Sequence, residues 1–141
     1  MRALALAAAA ALGTAQDPRP AAAPLSPEEA LRSFRLPAGF RIELFAAEPD
    51  VRDPVALAFD ENGRAWVVEM ADYPLGPPSG RLRILEDTDG DGRADRSILA
   101  ASGIPFPTGV LPWRGGVLVT AAPDILFFKD EDGDGKAERR E

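Results

Sequence analysis

Apolar and polar residues alternate along most of the chain after residue 40, and a period of two predicts β-strands. Residues 41–44 (Arg-Ile-Glu-Leu) alternate cleanly and predict one half-buried strand. Two later runs flank Asp60–Gly63, whose Asn-Gly pair is typical of a hairpin turn. Four short antiparallel strands are therefore predicted in one unit, at residues 55–59, 64–70, 81–85 and 96–99.

The same order of strands begins again after Pro107, which follows Pro54 at a distance of 53 residues. The predicted strands of this second unit lie at residues 109–113, 117–120 and 125–128. Units of about 40–50 residues with four short strands are typical of β-propeller blades. A β-sandwich is the alternative, but it does not explain an acidic loop at the same place in each unit.

The predicted fold class is thus all-β: an incomplete β-propeller, preceded by a short helix. Two four-stranded antiparallel blades cannot close a ring, since propellers have about four to eight blades. We therefore expect residues 26–141 to be the N-terminal blades of a truncated propeller. On this interpretation the strand at 41–44 belongs to a blade outside the sequence.

The first 15 residues have the pattern of a signal peptide. Arg2 precedes an unbroken apolar stretch from Ala3 to Leu12, and small residues stand before Gln16. The stretch is too short to cross a bilayer as a helix, so no transmembrane span is expected. This pattern predicts a periplasmic or secreted protein.

A Pro/Ala-rich linker is predicted at residues 16–25. After it, Ser26 and Glu29 have the spacing of a capping box, and Pro27 suits the first position of a helix. The helix should be short and end near Phe34, because Pro37 and a glycine follow soon after it.

Composition excludes several kinds of chemistry. The 141 residues contain no Cys and no His, which rules out disulfides, zinc-thiolate sites, c-type haem attachment and a Ser-His-Asp triad within this chain. The net charge is −7. An acidic chain has no basic excess to neutralise phosphates, so nucleic acid is not an expected partner.

The whole net charge falls in two windows, residues 86–95 and 129–138. Each window contains a loop with carboxylates at positions 1, 3, 5 and 9 and glycine at position 6. Such hard oxygen ligands suit Ca²⁺, and the backbone carbonyl at position 7 adds a ligand. The predicted calcium ligands are Asp87, Asp89, Asp91, Arg93 and Asp95 in one loop, and Asp130, Asp132, Asp134, Lys136 and Glu138 in the other.

A calcium loop of this kind has two alternatives. The second loop matches a complete EF-hand, because Glu141 stands at its twelfth position. The runs before both loops are of β-type rather than amphipathic helices, so we reject that interpretation. The other alternative is a solvated hairpin tip that binds no ion. The repetition of the loop favours calcium over that alternative. The position of both loops at hairpin tips favours a structural role for the ion.

Longer motifs extend over nearly everything after Ser26. They are LPAGFRIELFAAEP (36–49), DPVALAFD (53–60), GRAWVVEM (63–70), Tyr73-Pro74, Pro107–Gly109 and APDILFFKD (122–130). On these motifs the sequence is similar to a bacterial family, the exported membrane-bound dehydrogenase propellers of planctomycete and verrucomicrobial type, which resemble glucose/sorbosone dehydrogenases.

The resemblance implies a six-bladed propeller that uses pyrroloquinoline quinone and oxidises a sugar or alcohol, often with a haem domain. The catalytic His and the haem motif of such proteins have no counterpart here, so this chain alone is not expected to be catalytic. Glu69 and Tyr73 are the candidates for lining the mouth of a propeller; the alternatives are a surface acid and a loop-packing aromatic. The competing hypothesis is a calcium-stabilised propeller that binds or scaffolds without redox chemistry.

Overall fold

The chain folds mainly as β-structure. The structure, a computed structural model, describes residues 23–71, 73, 76–77, 79–137 and 139–140. The predicted signal peptide at 1–15 and most of the predicted linker lie outside these residues. No helix in the described part of the chain is long and apolar enough to cross a membrane.

A short helix of seven residues, about two turns, precedes the strands. Helix α1 (Pro27–Ser33) begins at the predicted capping box: the Ser26 hydroxyl accepts from the Glu29 N–H at 3.2 Å, and the Glu29 carboxylate accepts from the Ser26 N–H at 2.9 Å. Hydrogen bonding of the Glu29 carboxylate to the Ser26 N–H, and to the Ser26 hydroxyl, lowers the Glu29 pKa. The extended backbone of Phe34 ends the helix, as predicted.

The first sheet, sheet 1, is a four-stranded antiparallel meander in chain order. Its turn from the first to the second strand is the predicted hairpin, where Gly63 has a φ of 79° and its N–H donates to the Asp60 carbonyl. The last strand continues to Ile104, five residues beyond the prediction. The strands are β1 (Pro54–Phe59), β2 (Ala65–Glu69), β3 (Gly80–Glu86) and β4 (Arg96–Ile104).

The second sheet, sheet 2, repeats that order with a very short last strand. Its three long strands lie where the sequence predicted them. The fourth is a two-residue strand that pairs with Phe128 and Lys129. The strands are β5 (Pro107–Trp113), β6 (Gly116–Ala121), β7 (Asp124–Lys129) and β8 (Arg139–Arg140).

The prediction of a strand at 41–44 was wrong. These residues are not part of any sheet of the described chain. Alternation predicts that a segment has one buried face, but a strand also needs a neighbouring backbone to pair with. Leu44 and Phe45 are half-buried, and the Phe45 ring packs edge-on against Phe59 with the ring centroids 6.0 Å apart.

The main core lies between the two sheets. Side chains of β2, β3 and β4 meet side chains of β6 and β7, and all of them are almost completely buried. A smaller core on the opposite side of sheet 1 joins Ala65, Val67 and Leu85 to Phe45 and Val51. The main core contains Trp66, Val68, Leu82, Ile84, Ala100, Ile104, Val117, Val119, Ala121, Leu126 and Phe128.

Candidate metal-binding loops

Both acidic loops join neighbouring strands of a sheet. The first connects β3 to β4 and the second connects β7 to β8, so neither loop is flanked by helices. This agrees with the rejection of an EF-hand. Each loop follows the third strand of its sheet and precedes the fourth, which is the equivalence that the sequence repeat predicted.

The first loop is built around the Asp87 carboxylate. One of its oxygens accepts from the Gly90 N–H at 2.7 Å and the other from the Gly92 N–H at 2.9 Å. Both glycines have positive φ, which lets the backbone bend around the carboxylate. Asp89 and Asp91 each accept from the backbone N–H two residues further on.

The second loop makes the same bonds with the same spacing. Asp130 accepts from the N–H groups of Gly133 and Gly135 at 2.7 and 2.8 Å. Asp132 and Asp134 again accept from the backbone N–H two residues further on, at 3.0 and 2.7 Å. Two segments with different flanking residues therefore adopt one conformation, because aspartates and glycines at equal positions direct the turn.

Three carboxylates converge in each loop. Asp87, Asp89 and Asp91 each offer an oxygen, and these atoms lie within 4.8 Å of one another. Asp130, Asp132 and Asp134 form the equivalent group. Each carboxylate has two oxygens and about four lone-pair sites, so the backbone bonds leave acceptor capacity for a cation.

The remaining predicted ligands are arranged differently. Asp95 accepts from the N–H and hydroxyl of Thr88, at 3.0 and 2.7 Å, and these bonds lower the Asp95 pKa. It is not one of the three converging acids. Glu138 lies outside the described residues. The predicted ligand atoms of Arg93 and Lys136 are their carbonyls; their N–H groups are the donors to Asp91 and Asp134.

A lysine side chain lies beside the carboxylates of the second loop. The Lys136 ammonium lies 3.2 Å from the Asp134 carboxylate. The Lys136 N–H and ammonium together lower the Asp134 pKa. The first loop has Arg93 at the equivalent position. An exposed lysine is readily displaced, because an ion pair on the surface contributes little free energy.

The two loops also dock their C-terminal ends in the same way. The Ala137 N–H donates to the Ala100 carbonyl of β4 at 2.9 Å, so the second loop is tied to sheet 1. At the equivalent position of the first loop, the Ala94 N–H donates to the Phe45 carbonyl at 2.8 Å. Phe45 therefore accepts from the acidic loop of sheet 1 in the same way as Ala100 of β4 accepts from the acidic loop of sheet 2.

Glu69, a predicted mouth-lining residue, is completely buried at the end of β2. Its carboxylate accepts from the Arg52 N–H at 2.7 Å and from the Arg83 guanidinium at 3.0 and 3.4 Å, and lies 3.1 Å from the Arg81 guanidinium. Arg83 also donates to the Ser97 hydroxyl, which donates to the Asp50 carbonyl. The structure therefore engages this carboxylate within the fold, which favours a structural role.

Tyr73, the other mouth-lining candidate, is 73% exposed. Glu69 is completely buried, so the two side chains differ in their exposure to solvent. The role of Tyr73 stays a prediction.

The sequence analysis missed a second buried carboxylate, that of Asp60 in the β1–β2 turn. It accepts from the Trp66 indole N–H at 2.9 Å, from the Arg64 guanidinium at 2.7 Å, and from the N–H groups of Arg64 and Asn62. Burial raises its pKa, but the bonds from Trp66 and Arg64 outweigh burial, and the net pKa is lowered. An acid followed at short spacing by Arg and Trp was the available signal.

A repeated pair of antiparallel sheets, each with an acidic loop between its last two strands, defines an all-β repeat protein with candidate cation sites. Residues 26–141 match the family described as a domain of unknown function, DUF7133, and the chain belongs to that family. No curated protein and no solved structure matches the chain.

Proposed function

We propose that this chain is a calcium-binding part of an exported β-propeller, in which the ions stabilise the hairpin tips rather than take part in chemistry. The observation that carries the proposal is the duplicate geometry of the two loops. In each, three aspartate carboxylates converge to within 4.8 Å on a turn held by the same backbone bonds. Flexible, all-oxygen coordination of this kind suits Ca²⁺ better than Mg²⁺.

Charge is the physical reason for a cation. Both loops concentrate like charges that repel one another, and a bound divalent ion would turn this repulsion into attraction. Lys136 neutralises part of the charge in the second loop. Export, predicted from residues 1–15, would deliver the loops to a compartment where calcium is available.

The way the sheets pack supports a propeller over a sandwich. Sheet 1 turns one side, face A (Trp66, Val68, Leu82, Ile84), toward sheet 2. The residues of sheet 2 that pack against face A are Val117, Val119, Ala121, Leu126 and Phe128.

Equivalent positions identify which face of sheet 2 this is. Aligning the turn glycine Gly63 with Gly115 places Val117 and Val119 at the positions of Ala65 and Val67. These two residues of sheet 1 belong to face B (Leu57, Phe59, Ala65, Val67, Leu85), which points away from sheet 2. The sheets therefore stack front to back, face A on face B, as successive blades do. The first strands also lie together, since β1 and β2 contact β5.

The described residues do not fit a quinone site. Arg81 and Arg83, whose guanidinium groups lie beside the mouth-lining candidate Glu69, form ion pairs with its carboxylate, and the chain contains no His. The sequence resemblance is the one observation that favours a second candidate function, quinone-dependent oxidation of a sugar or alcohol. We assign that activity to the whole exported protein, in which the residues of this chain form part of the propeller and take no part in the chemistry. The alternative is a binding or scaffolding propeller.

Calorimetric titration with CaCl₂ tests the calcium proposal. The expected result is binding of two ions per chain and a melting temperature that rises with calcium. At a free calcium concentration of about 100 times the Kd, each site would add ~2.7 kcal/mol to the free energy of unfolding. No binding heat, together with one melting curve in calcium and in excess chelator, would overturn the proposal.

Dye reduction tests the redox candidate separately. The whole exported protein, supplied with quinone and calcium, would reduce an artificial electron acceptor in the presence of an aldose or alcohol. Failure across a broad panel would count against the dehydrogenase and leave the calcium proposal intact, because calcium binding is measured without any substrate.

A further inference from the structure

The turn between β1 and β2 contains a chemically reactive pair of residues to which the proposed function gives no role. Asn62 is followed by Gly63, and both residues are exposed. Asn62 is the single asparagine among the 141 residues of the chain. Asparagine is a thermolabile residue, because the backbone nitrogen that follows it can displace its side-chain amide. A glycine at the next position places no side chain in the way of this reaction.

The turn has room for the reaction. Gly63 has a φ of 79°, and a Cβ added to it would meet no atom within 4 Å. The backbone at Gly63 therefore borders open space, in which a cyclic imide can form without a collision.

Hydrogen bonds of the turn restrain the nitrogen that would react. The Gly63 N–H donates to the Asp60 carbonyl at 3.0 Å, and the Asn62 N–H donates to the Asp60 carboxylate at 2.9 Å. The same carboxylate accepts from the Arg64 guanidinium and the Trp66 indole. While these bonds hold, the Gly63 nitrogen keeps its proton and the turn keeps its shape. The reaction is therefore limited to the times at which the turn opens locally.

We propose that Asn62 is a site of covalent modification, where the side-chain amide becomes a carboxylate at a rate set by the opening of the Asp60 turn. The Gly63 nitrogen loses its proton and attacks the Asn62 Cγ. A C–N bond forms to close a cyclic imide, the bond from Cγ to Nδ2 breaks, and ammonia leaves with the proton. Water then opens the imide at either carbonyl and yields aspartate or isoaspartate at position 62.

The two products change the molecule in different ways. Aspartate leaves the main chain as it is and adds a negative charge to a cleft that Asn62 lines together with Glu86 and Asp87. Isoaspartate also adds a carbon atom to the main chain before Gly63, so the bond from the Gly63 N–H to Asp60 loses its present geometry. The isoaspartate product should therefore weaken the β1–β2 hairpin, whose turn has specific backbone requirements.

The test follows Asn62 in the purified chain during incubation at mildly alkaline pH, in chelator, with peptide mapping by mass spectrometry. The folded wild type should accumulate aspartate and isoaspartate, more slowly than the chain unfolded in urea. Asp60→Ala should convert about tenfold faster or more, because loss of hydrogen bonds to a charged group shifts the opening of the turn by at least that factor. The isoaspartate form, separated by ion exchange, should melt below the unmodified chain.

Glu61→Gln is the matched control, since Glu61 is exposed in the same turn, and it should convert at the wild-type rate. If Asp60→Ala does not fold, Arg64→Ala makes the same comparison, because it removes one donor to the Asp60 carboxylate and should also convert faster than wild type.

Three results would overturn the proposal. They are an Asn62 that stays intact in the folded chain while the chain in urea is converted, a folded turn variant that reacts no faster than wild type, and an isoaspartate form that melts with the unmodified chain. The inference depends neither on calcium nor on a propeller, so its failure leaves the proposed function untouched.

Discussion

The Cα of Gly135 faces the side chain of Ile98 across the two sheets, so closely that a Cβ there would lie 2.7 Å from the Ile98 Cδ1 atom. Gly135 also has a φ of 88°. The second acidic loop is therefore held against sheet 1 at a position that admits no side chain.

Gly135→Ala should destabilise the fold more than Gly92→Ala does. Both substitutions put a side chain at a positive φ, which costs roughly 1–2 kcal/mol. Only the first adds a collision with Ile98, and overpacking costs typically a further ~1–3 kcal/mol. Urea unfolding of the two variants measures the difference. Equal losses would show that the loop does not pack on sheet 1 as described.

Glu69→Ala should be among the most damaging substitutions in the chain. It leaves the Arg83 guanidinium, whose side chain is mostly buried, without its carboxylate partner. Loss of one partner of a buried pair costs about 3–5 kcal/mol. The measurement is the free energy of unfolding from denaturant titration.

Glu86→Ala is the control for that prediction. Glu86 pairs with Arg96 at the same distance of 3.0 Å, but the Arg96 side chain is exposed. Exposed pairs contribute about 0–1 kcal/mol, so this variant should stay close to wild type. A small loss in Glu69→Ala would mean that the carboxylate is not a structural group, and would reopen its assignment to a propeller mouth.

Asp60→Asn should change how stability depends on pH. The Asp60 pKa is lowered in the folded chain, so its carboxylate stabilises the fold fully above the ordinary value of about 3.9, and this contribution is lost as the pH falls toward the lowered value. The variant should be less stable at neutral pH, by about 1.5–3 kcal/mol for bonds to a charged group. Below pH ~3 the difference should shrink.

Glu61→Gln supplies the comparison, since Glu61 is the exposed neighbour of Asp60 in the same turn. Its unfolding curves should follow those of the wild type at each pH. A difference between Asp60→Asn and wild type that does not vary with pH would contradict the role given to the ionised carboxylate.

Asp89→Asn combined with Asp132→Asn should have opposite effects with and without calcium. In chelator the variant should melt at or above the wild-type temperature, because one of three converging like charges is removed from each loop while an amide oxygen can still accept the backbone bond. In calcium it should melt below the wild type. Asp124→Asn, an exposed acid at the start of β7, should show neither effect.

A variant that melts below wild type even in chelator would indicate that the aspartates act as turn residues only. Differential scanning calorimetry at matched ionic strength makes this comparison, since added salt screens exposed charges whether or not calcium is bound.

The regular elements could be predicted because their signals are local. Period-two runs, the Asn62-Gly63 pair and the Ser26–Glu29 box each specify nearby backbone, and the structure has the helix, the turn and seven strands at those places. The end of β4 was missed, since Ala100–Gly103 lacks the alternation of large apolar residues that marks a strand. These residues are a strand because their backbone pairs with β3.

The contacts between distant residues could not be predicted in the same way. Nothing in the sequence around Glu69 reveals that Arg83 reaches it, since that requires the register of β2 against β3. The spacing of Arg81 and Arg83 indicates the contact only once the register of β2 against β3 is known. In the acidic loops, the turn geometry agrees with the predicted spacing. Asp95 instead accepts a hydrogen bond from the Thr88 hydroxyl.

Front-to-back packing has a consequence for how proteins of this kind lengthen. Each sheet packs on the sheet before it with one face and on the sheet after it with the other. A duplicated unit therefore has a complementary face for the neighbour on each side. Gene duplication can thus add a sheet without requiring a new kind of interface. The number of sheets is then limited by geometry and not by the need for compatible surfaces.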